Sequence, residues 1–360
     1  MKETHASTAW MDVIPAIKRS SFFMSKRIGL MSLVAGSAWR RHRLLVLCYH
    51  GVSMADEHEW HPGLYVSPRT LARRFAALEH TGCDVLPLDE AVQRLYAGTL
   101  PARAVALTFD DGFHDFKARA FPMLQAHGFP ATVYLATQRC EKNFPVPHLI
   151  ASYLLWKHRT SILDANGIAG LDQRYPLAAE GDRQRVLADM QARMRADRMR
   201  PHAKDIFAGE VVRRLGVDYE AVKASRILRL MTPDEVADLS RQGIAMEMHT
   251  HRHRTPDDPD QFLAEVRLNR ERLEAITGRR PQHFCYPSGV YHASYLPKLE
   301  SEKIVTATTC DPGLASRAAH RLLLPRFVDT EHVSDIEFEA WITGAASWMP
   351  RRTHHAHSVH

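Results

Sequence analysis

The sequence predicts an α/β fold, either an α/β barrel or a doubly wound sheet. Eight short apolar runs alternate little between apolar and polar residues, as strands do in a parallel sheet covered on both faces. Helical patterns separate them. Two have clear start signals: Ser67 before Pro68, and Thr232 before Pro233, with Glu235 completing a capping box. This alternation of strand and helix indicates the class. The eight runs are 44–51, 84–88, 104–112, 131–136, 244–251, 283–289, 305–310 and 321–327.

One segment interrupts this alternation. Residues 140–230 contain no clear strand and are mostly helical and charged, which predicts a helical insertion between two strands of the main domain, residues 44–345. The insertion is interpreted either as a solvated packing element or as a contributor to substrate binding. Residues 346–360 are rich in histidine and predict a disordered tail that is not a site.

Composition indicates a soluble globular protein. Of 360 residues, 45% are hydrophobic and 24% are charged, which suits one large domain or two small ones. The five cysteines are odd in number and form no CxxC pair, so neither a disulfide framework nor a cysteine zinc site is indicated, and a reducing compartment is favoured.

The net charge of +6 lies entirely in residues 1–43, which form a basic, amphipathic N-terminal arm. Three interpretations remain open: a helix docked on the domain, a helix on an anionic membrane surface, or a signal peptide starting at Met24. We expect a cytoplasmic protein, peripheral on the inner membrane face in the second case and periplasmic in the third. No run approaches the length of a membrane span. Nucleic-acid binding is not expected, because the rest of the chain is neutral.

The stretch "LTFDDGFHD", residues 107–115, places two carboxylates side by side at the tip of a predicted strand. Repulsion between Asp110 and Asp111 raises the pKa of one or both unless a positive charge lies nearby. The stretch "HTHRH", residues 249–253, follows another predicted strand and supplies further ligands. His249 and His253, four residues apart, can point at one atom, whereas His251 points elsewhere. Imidazole and carboxylate are ligands of catalytic zinc, so a metal site is predicted.

These motifs resemble those of the polysaccharide deacetylases, carbohydrate esterase family four, which contain the NodB homology domain. "TFDDG" (108–112) resembles the first family motif, "HTHRH" the second and "FCYPSG" (284–289) the third, and "LCYHGV" (47–52) precedes them in the usual order. The resemblance covers roughly residues 44–330. It implies a distorted (β/α)7 barrel, a Zn²⁺ or another divalent transition metal, and removal of an N-acetyl or other N-acyl group from an amino sugar.

The resemblance also implies residue roles. Asp111, His249 and His253 hold the metal, while Asp110 stays off it and acts as general base. Thr250 hydrogen-bonds within the motif loop and keeps the two histidines aimed.

The third motif contributes Tyr286 and Ser288 to substrate and oxyanion binding, through a backbone N–H near Ser288. Here the sequence departs from the family. The usual motif arginine is replaced by Cys285, and Arg326 is the substitute expected to orient the base, unless it is a structural surface arginine.

The general acid is a second departure, because the late Leu-x-His motif of the family is missing. His50, at the end of a strand, is favoured for this role over His332, although His50 could instead be a core residue. Asp115 is expected to be a helix N-cap.

The expected substrate is a polysaccharide or a lipid-linked glycan precursor. Two alternatives remain: an O-acetyl esterase that uses the same metal site, and a non-catalytic carbohydrate-binding relative. The intact set of Asp110, Asp111, His249 and His253 argues against the latter.

Overall fold

A curved sheet of nine strands forms the centre of the computed structural model, which describes residues 20–142 and 146–348. Its strand order is β11–β10–β9–β6–β5–β1–β12, with β13 beside β1 and β4 beside β5. All pairings are parallel except β1 with β12. The strands are β1 Arg43–Tyr49, β4 Asp84–Val85, β5 Ala104–Phe109, β6 Thr132–Leu135, β9 Ala245–Met248, β10 His283–Cys285, β11 Thr306–Thr308, β12 Ala315–Ser316 and β13 Phe327–Val328.

The segment 321–328 connects the first and last strands of the parallel part of this sheet, β11 and β1. Leu324 forms a parallel bridge with Thr308 of β11, and Phe327 pairs with Leu47 of β1. This segment, together with β1, β5, β6, β9, β10 and β11, gives a ring of seven strand positions, which is the predicted distorted (β/α)7 barrel. Of the predicted run 321–327, only Phe327 lies in regular strand, as the first residue of β13.

Helices flank the barrel and begin where their caps predict. Ser67 Oγ accepts the Thr70 N–H, and Thr232 with Glu235 forms the predicted capping box. The helices around the barrel are α4 Glu57–Trp60, α5 Pro68–His80, α6 Leu88–Ala97, α7 Phe121–His127, α8 Thr137–Lys142, α13 Pro233–Arg241, α14 Pro259–Thr277, α15 Tyr295–Ser301 and α16 Asp335–Thr343. A π-helical turn spans Phe116–Ala120, and 3₁₀ turns span Pro287–Gly289 and Ala345–Trp348. A short parallel pair, β2 Gly51–Val52 and β3 Tyr65–Val66, follows β1.

The insertion has a hydrophobic core of its own. Its helices are α9 Pro147–Lys157, α10 Glu180–Ala196, α11 Pro201–Arg213 and α12 Tyr219–Ala224. An antiparallel hairpin, β7 Ile162–Asp164 and β8 Arg174–Pro176, corrects the expectation that the segment contains no strand. Each hairpin strand buries only its central residue, so its apolar pattern is too short to read. Met231 N–H donates to Gly112 O at 2.9 Å, so the end of the insertion contacts the first motif.

The described part of the arm packs on the barrel. Residues 20–27 form α1, followed by α2 Leu30–Gly36 and α3 Ala38–Arg41. Phe22 and Met31 belong to the main core, and the buried Arg40 donates to the carbonyl oxygens of Ile342, Arg43 and Ala104. None of the described helices is long and apolar enough to cross a bilayer. Residues 1–19 of the arm and 349–360 of the predicted tail lie outside the described residues.

Candidate active site

The carboxyl ends of four strands meet at one end of the barrel and carry the predicted site. His50 directly follows β1, Asp110 follows β5, His249 follows β9, and Cys285 ends β10. After Asp110 the chain turns sharply, with φ values of 69° at Asp111 and 82° at Gly112. A Cβ at Gly112 would lie 2.0 Å from Leu135 Cδ1, so only glycine fits behind the two carboxylates.

The three predicted metal ligands lie together. Asp111 Oδ1 is 3.4 Å from His249 Nε2 and 2.9 Å from His253 Nε2. His249 Nδ1 lies 2.9 Å from the Cys285 carbonyl oxygen and donates to it, which leaves Nε2, the nitrogen that faces Asp111, as the atom that could bind a metal. One carboxylate and two imidazoles form a donor set that zinc and other divalent transition metals accept. The residues present therefore fit the expected metal.

Electrostatics keep this carboxylate ready to bind a cation. Burial alone would raise the pKa of Asp111, but hydrogen bonds from His249 and His253 hold that pKa well below its ordinary value. Burial lowers the pKa of His253, yet the contact with Asp111 outweighs it and raises that pKa. Asp111 is therefore in its ionised form, the form that binds metals.

Asp110 is held by a buried arginine. The two terminal nitrogens of Arg326 each lie 2.8 Å from one oxygen of Asp110, a bidentate pair in which neither side chain is more than 2% exposed. Arg326 Nε donates to Thr309 O at 2.9 Å, and a terminal nitrogen lies 3.0 Å from Cys285 Sγ. Burial alone would raise the pKa of Asp110, but the guanidinium holds it well below the usual range. The predicted Arg326 thus contacts the predicted base.

His50 lies beside this pair, with its Nε2 3.9 Å from Asp110 Oδ2 and its side chain 20% exposed. Burial lowers the pKa of His50, while Asp110 and Asp111 oppose this shift. His332 is exposed, in the turn between β13 and α16.

Asp115 corrects the N-cap expectation. It is buried, has helical φ and ψ angles, and its Oδ1 accepts the Val52 N–H at 3.0 Å. Burial raises the pKa of Asp115 well above its ordinary value. Asp115 therefore stands directly before the turn Phe116–Ala120, as expected, but its side chain braces the loop after β1 instead of capping that turn.

The third motif places its two predicted residues differently. The Tyr286 side chain is fully buried and donates to Leu322 O at 3.1 Å, while its N–H donates to Thr308 O. The structure therefore does not bring Tyr286 to the site. Ser288 is exposed in a tight turn with φ 56°, where Gly289 and Val290 use their own N–H groups. The Ser288 N–H donates to no atom of the described residues.

Comparison with known proteins identifies the family. The family model described as polysaccharide deacetylase matches residues 97–306. The chain belongs to the polysaccharide deacetylase family. The family and the hydrolase class predicted from the motifs are thereby confirmed.

Individual relatives match this family member less completely. It is 36% identical over 103 residues to the poly-beta-1,6-N-acetyl-D-glucosamine N-deacetylase of Escherichia coli K12, a match that covers 28% of this chain and only 15% of that protein. Two solved structures share the fold. The Streptococcus pyogenes deacetylase PplD in complex with acetate has a TM-score of 0.55 at 18% identity, covering 83% of this chain and 98% of that one. IcaB from Ammonifex degensii has a TM-score of 0.54 at 15% identity, covering 84% and 97%. The predicted barrel is confirmed.

Helix α14 holds the second motif in place through Asn269, a residue that the sequence motifs do not predict. Asn269 Oδ1 accepts the His249 N–H at 2.8 Å, and Asn269 Nδ2 donates to Leu135 O and Thr137 Oγ1, both at 3.0 Å. His251, as expected, points away from the metal ligands, with Nδ1 2.9 Å from Thr137 Oγ1. Phe262, Val266 and Leu273 recur at helical spacing around Asn269, and this pattern is the signal that could have found the residue.

The rest of the motif loop is held by two contacts. Thr250 Oγ1 accepts the Arg254 N–H at 3.0 Å, which is the hydrogen bond within the loop that was predicted for Thr250. The buried Glu265 accepts the Arg252 N–H at 3.0 Å and pairs with the side chains of Arg252 and Arg254. These contacts fix the left-handed φ values of 56° at Thr250 and 52° at His253.

Replacing Asn269 tests whether α14 positions the metal ligands. Asn269→Ala removes the acceptor for His249 N–H, so we expect zinc affinity to fall about 10- to 100-fold, as it does when other residues that hold a metal ligand in place are removed. Competition with a chromophoric chelator measures it. Asn166→Ala, at an exposed residue of the insertion, is the matched control. A folded Asn269→Ala protein that binds zinc as tightly as the control would contradict the role.

Proposed function

We propose that this chain is a metal-dependent N-deacetylase that removes acetyl groups from amino sugars of a poly-N-acetylglucosamine-type glycan. The observation that carries the proposal is the division between the adjacent carboxylates: Asp110 pairs with Arg326, while Asp111 faces His249 and His253. The substrate class follows from the Escherichia coli relative, which is a poly-beta-1,6-N-acetyl-D-glucosamine N-deacetylase.

The chain's own groups divide the reaction between them. When bound by Asp111, His249 and His253, a divalent transition metal supplies Lewis-acid chemistry, polarising the amide carbonyl and acidifying the attacking water. Asp110, kept ionised by Arg326, accepts the proton of that water.

Two further groups complete the site. The free N–H of Ser288 points to backbone stabilisation of the developing oxyanion. His50 gives a proton to the departing amine in this proposal, which its position beside Asp110 and its partial exposure to solvent support. The products are acetate and a free amino sugar.

Acetate release from a panel of acetylated sugars tests the function. We expect release from N-acetylglucosamine polymers, loss of activity on chelation, and recovery with zinc. Release only from O-acetylated glycans would instead support the esterase alternative, and release only from a lipid-linked sugar would make the precursor the substrate. Binding without release from any member of the panel would support the non-catalytic alternative.

His50 is tested by His50→Ala. Losing a proton donor should lower kcat by about 10²-fold or more, with metal content unchanged. His332→Ala, at an exposed histidine, is the matched control. If His50→Ala keeps normal turnover, another group is the acid, and if it fails to fold, His50 is a core residue.

We also propose that the arm rests on an anionic membrane surface. Four of the six exposed large hydrophobic side chains of the described residues lie on it: Phe23, Met24, Ile28 and Leu33, between 53% and 72% exposed. The whole net positive charge lies in the same segment. Apolar area and basic charge together are what an interfacial helix uses. The proposed location is the inner face of the cytoplasmic membrane, with secretion as the competing outcome.

Vesicle sedimentation tests the membrane proposal. Ile28→Ser with Leu33→Ser should reduce binding to phosphatidylglycerol vesicles, and added salt should weaken wild-type binding. Ile162→Ser with Ile206→Ser removes the other two exposed large hydrophobics, each 53% exposed, and serves as the control. Equal binding by both double variants would rule out the arm as the contact.

A further inference from the structure

A second cleft lies between the insertion and the loop that follows β1. It has a volume of about 200 Å³, the size of a single sugar ring rather than of a chain. Trp60 from α4 and Trp156 from α9 line it together with Arg183 and Gln184 from α10. It shares no lining residue with the metal site.

The two tryptophans are held in place by their neighbours. The Trp60 ring is 5.6 Å from the Tyr153 ring at a near-perpendicular angle and 6.3 Å from the Tyr65 ring. The Arg159 guanidinium lies 4.4 Å over the Trp156 ring. Both indoles are half-buried, so each keeps part of its surface open. The cleft is therefore preformed, which lowers the entropic cost of binding.

Polar groups complete the lining. Arg183 is fixed by hydrogen bonds from one terminal nitrogen to the carbonyl oxygens of Leu177 and Ala178, at 2.7 and 2.9 Å. Glu180 and Gln184, one helical turn apart on α10, stand exposed at the cleft. A pyranose has apolar C–H faces and a rim of hydroxyls. Indole surfaces with carboxylate, amide and guanidinium groups around them match both features.

The cleft lies on the catalytic side of the barrel. One wall belongs to the loop that starts at His50, and the other belongs to the insertion, which leaves after β6 and returns beside Gly112. Two ring contacts connect the sites, 5.7 Å from Phe113 to Tyr65 and 6.3 Å from Tyr65 to Trp60. Because Phe113 is two residues from Asp111, the Trp60 ring is within roughly 25 Å of the Asp111 backbone. A glycan of several sugar units spans this distance.

We propose that the cleft is a distal glycan subsite that binds one sugar of a chain while another is deacetylated at the metal site. With this subsite, the chain would act on polymers or long oligomers rather than on single sugars. The proposal rests on the proposed function and names the substrate length that the insertion selects.

The experiment compares a disaccharide with an octasaccharide of β-1,6-linked N-acetylglucosamine. Trp156→Ala should lower kcat/KM on the octasaccharide about tenfold more than on the disaccharide, the size of one lost aromatic contact. Trp156→Tyr should restore most of the difference. Trp39→Ala is the matched control, because Trp39 is also a half-buried indole and has the Arg43 guanidinium 4.1 Å over its ring. Trp39 precedes β1 and does not line the cleft.

Binding measured by calorimetry separates the two proposals. If the octasaccharide binds more tightly than the disaccharide and Trp156→Ala abolishes this difference, the result supports the subsite. It does so even if no acetate is released and the proposed activity fails. Acetate release with equal Trp156→Ala effects on both lengths overturns the subsite and leaves the activity standing. If circular dichroism shows that the Trp156→Ala protein is unfolded, Gln184→Ala at the exposed rim of the cleft is measured instead. A loss of the octasaccharide preference then supports the subsite, and equal effects on both lengths overturn it.

Discussion

The buried pair of Asp110 and Arg326 is the interaction on which the site depends. Removing one partner from such a pair typically costs about 3–5 kcal/mol, because the other charge is left buried and unpaired. Arg326 lies in the segment 321–328, which also joins β11 to β1, so closing the barrel and neutralising Asp110 are one structural event. Because the negative charge of Asp110 is paired with the arginine, Asp111 is the carboxylate that faces the two histidines. Adjacent, chemically identical side chains thereby make different contacts.

The local parts of this arrangement were predictable from the sequence, and its long-range parts were not. Asp111, His249 and His253 follow strand ends in recognisable motifs, and parallel strands place such ends together. Arg326 was expected beside Asp110 only through the family resemblance, with a surface arginine as the alternative. The two residues are 216 positions apart, so only the path of the closing segment decides that they form a buried bidentate pair. Asn269 and Glu265 were not predicted, because the sequence does not show which group a polar side chain on a helix will contact. Tyr286 shows the converse: its strand register, not its motif, turns the side chain into the core.

Two additions accompany the barrel and meet its strands at opposite ends, since Arg40 of the arm donates to Ala104 O at the start of β5. The arm precedes β1, while the site and insertion follow the carboxyl ends of the strands. A strand of seven residues such as β1 spans about 23 Å, so an arm resting on a membrane would hold the site away from the surface. That geometry suits a glycan chain extending from the membrane better than a sugar at the level of the lipid headgroups. The aromatic cleft, on the catalytic side, agrees with this orientation.

Metal analysis of two purified variants tests the division of roles most directly. The account predicts that Asp111→Asn loses bound zinc and activity together, because an ionised ligand is gone. It predicts that Asp110→Asn stays near stoichiometric in zinc while kcat falls by about 10²- to 10⁴-fold, and that added zinc does not restore it. Thermal unfolding confirms that each variant is folded. Loss of zinc from Asp110→Asn with retention in Asp111→Asn would reverse the assignment, and full zinc and full activity in both would contradict the site.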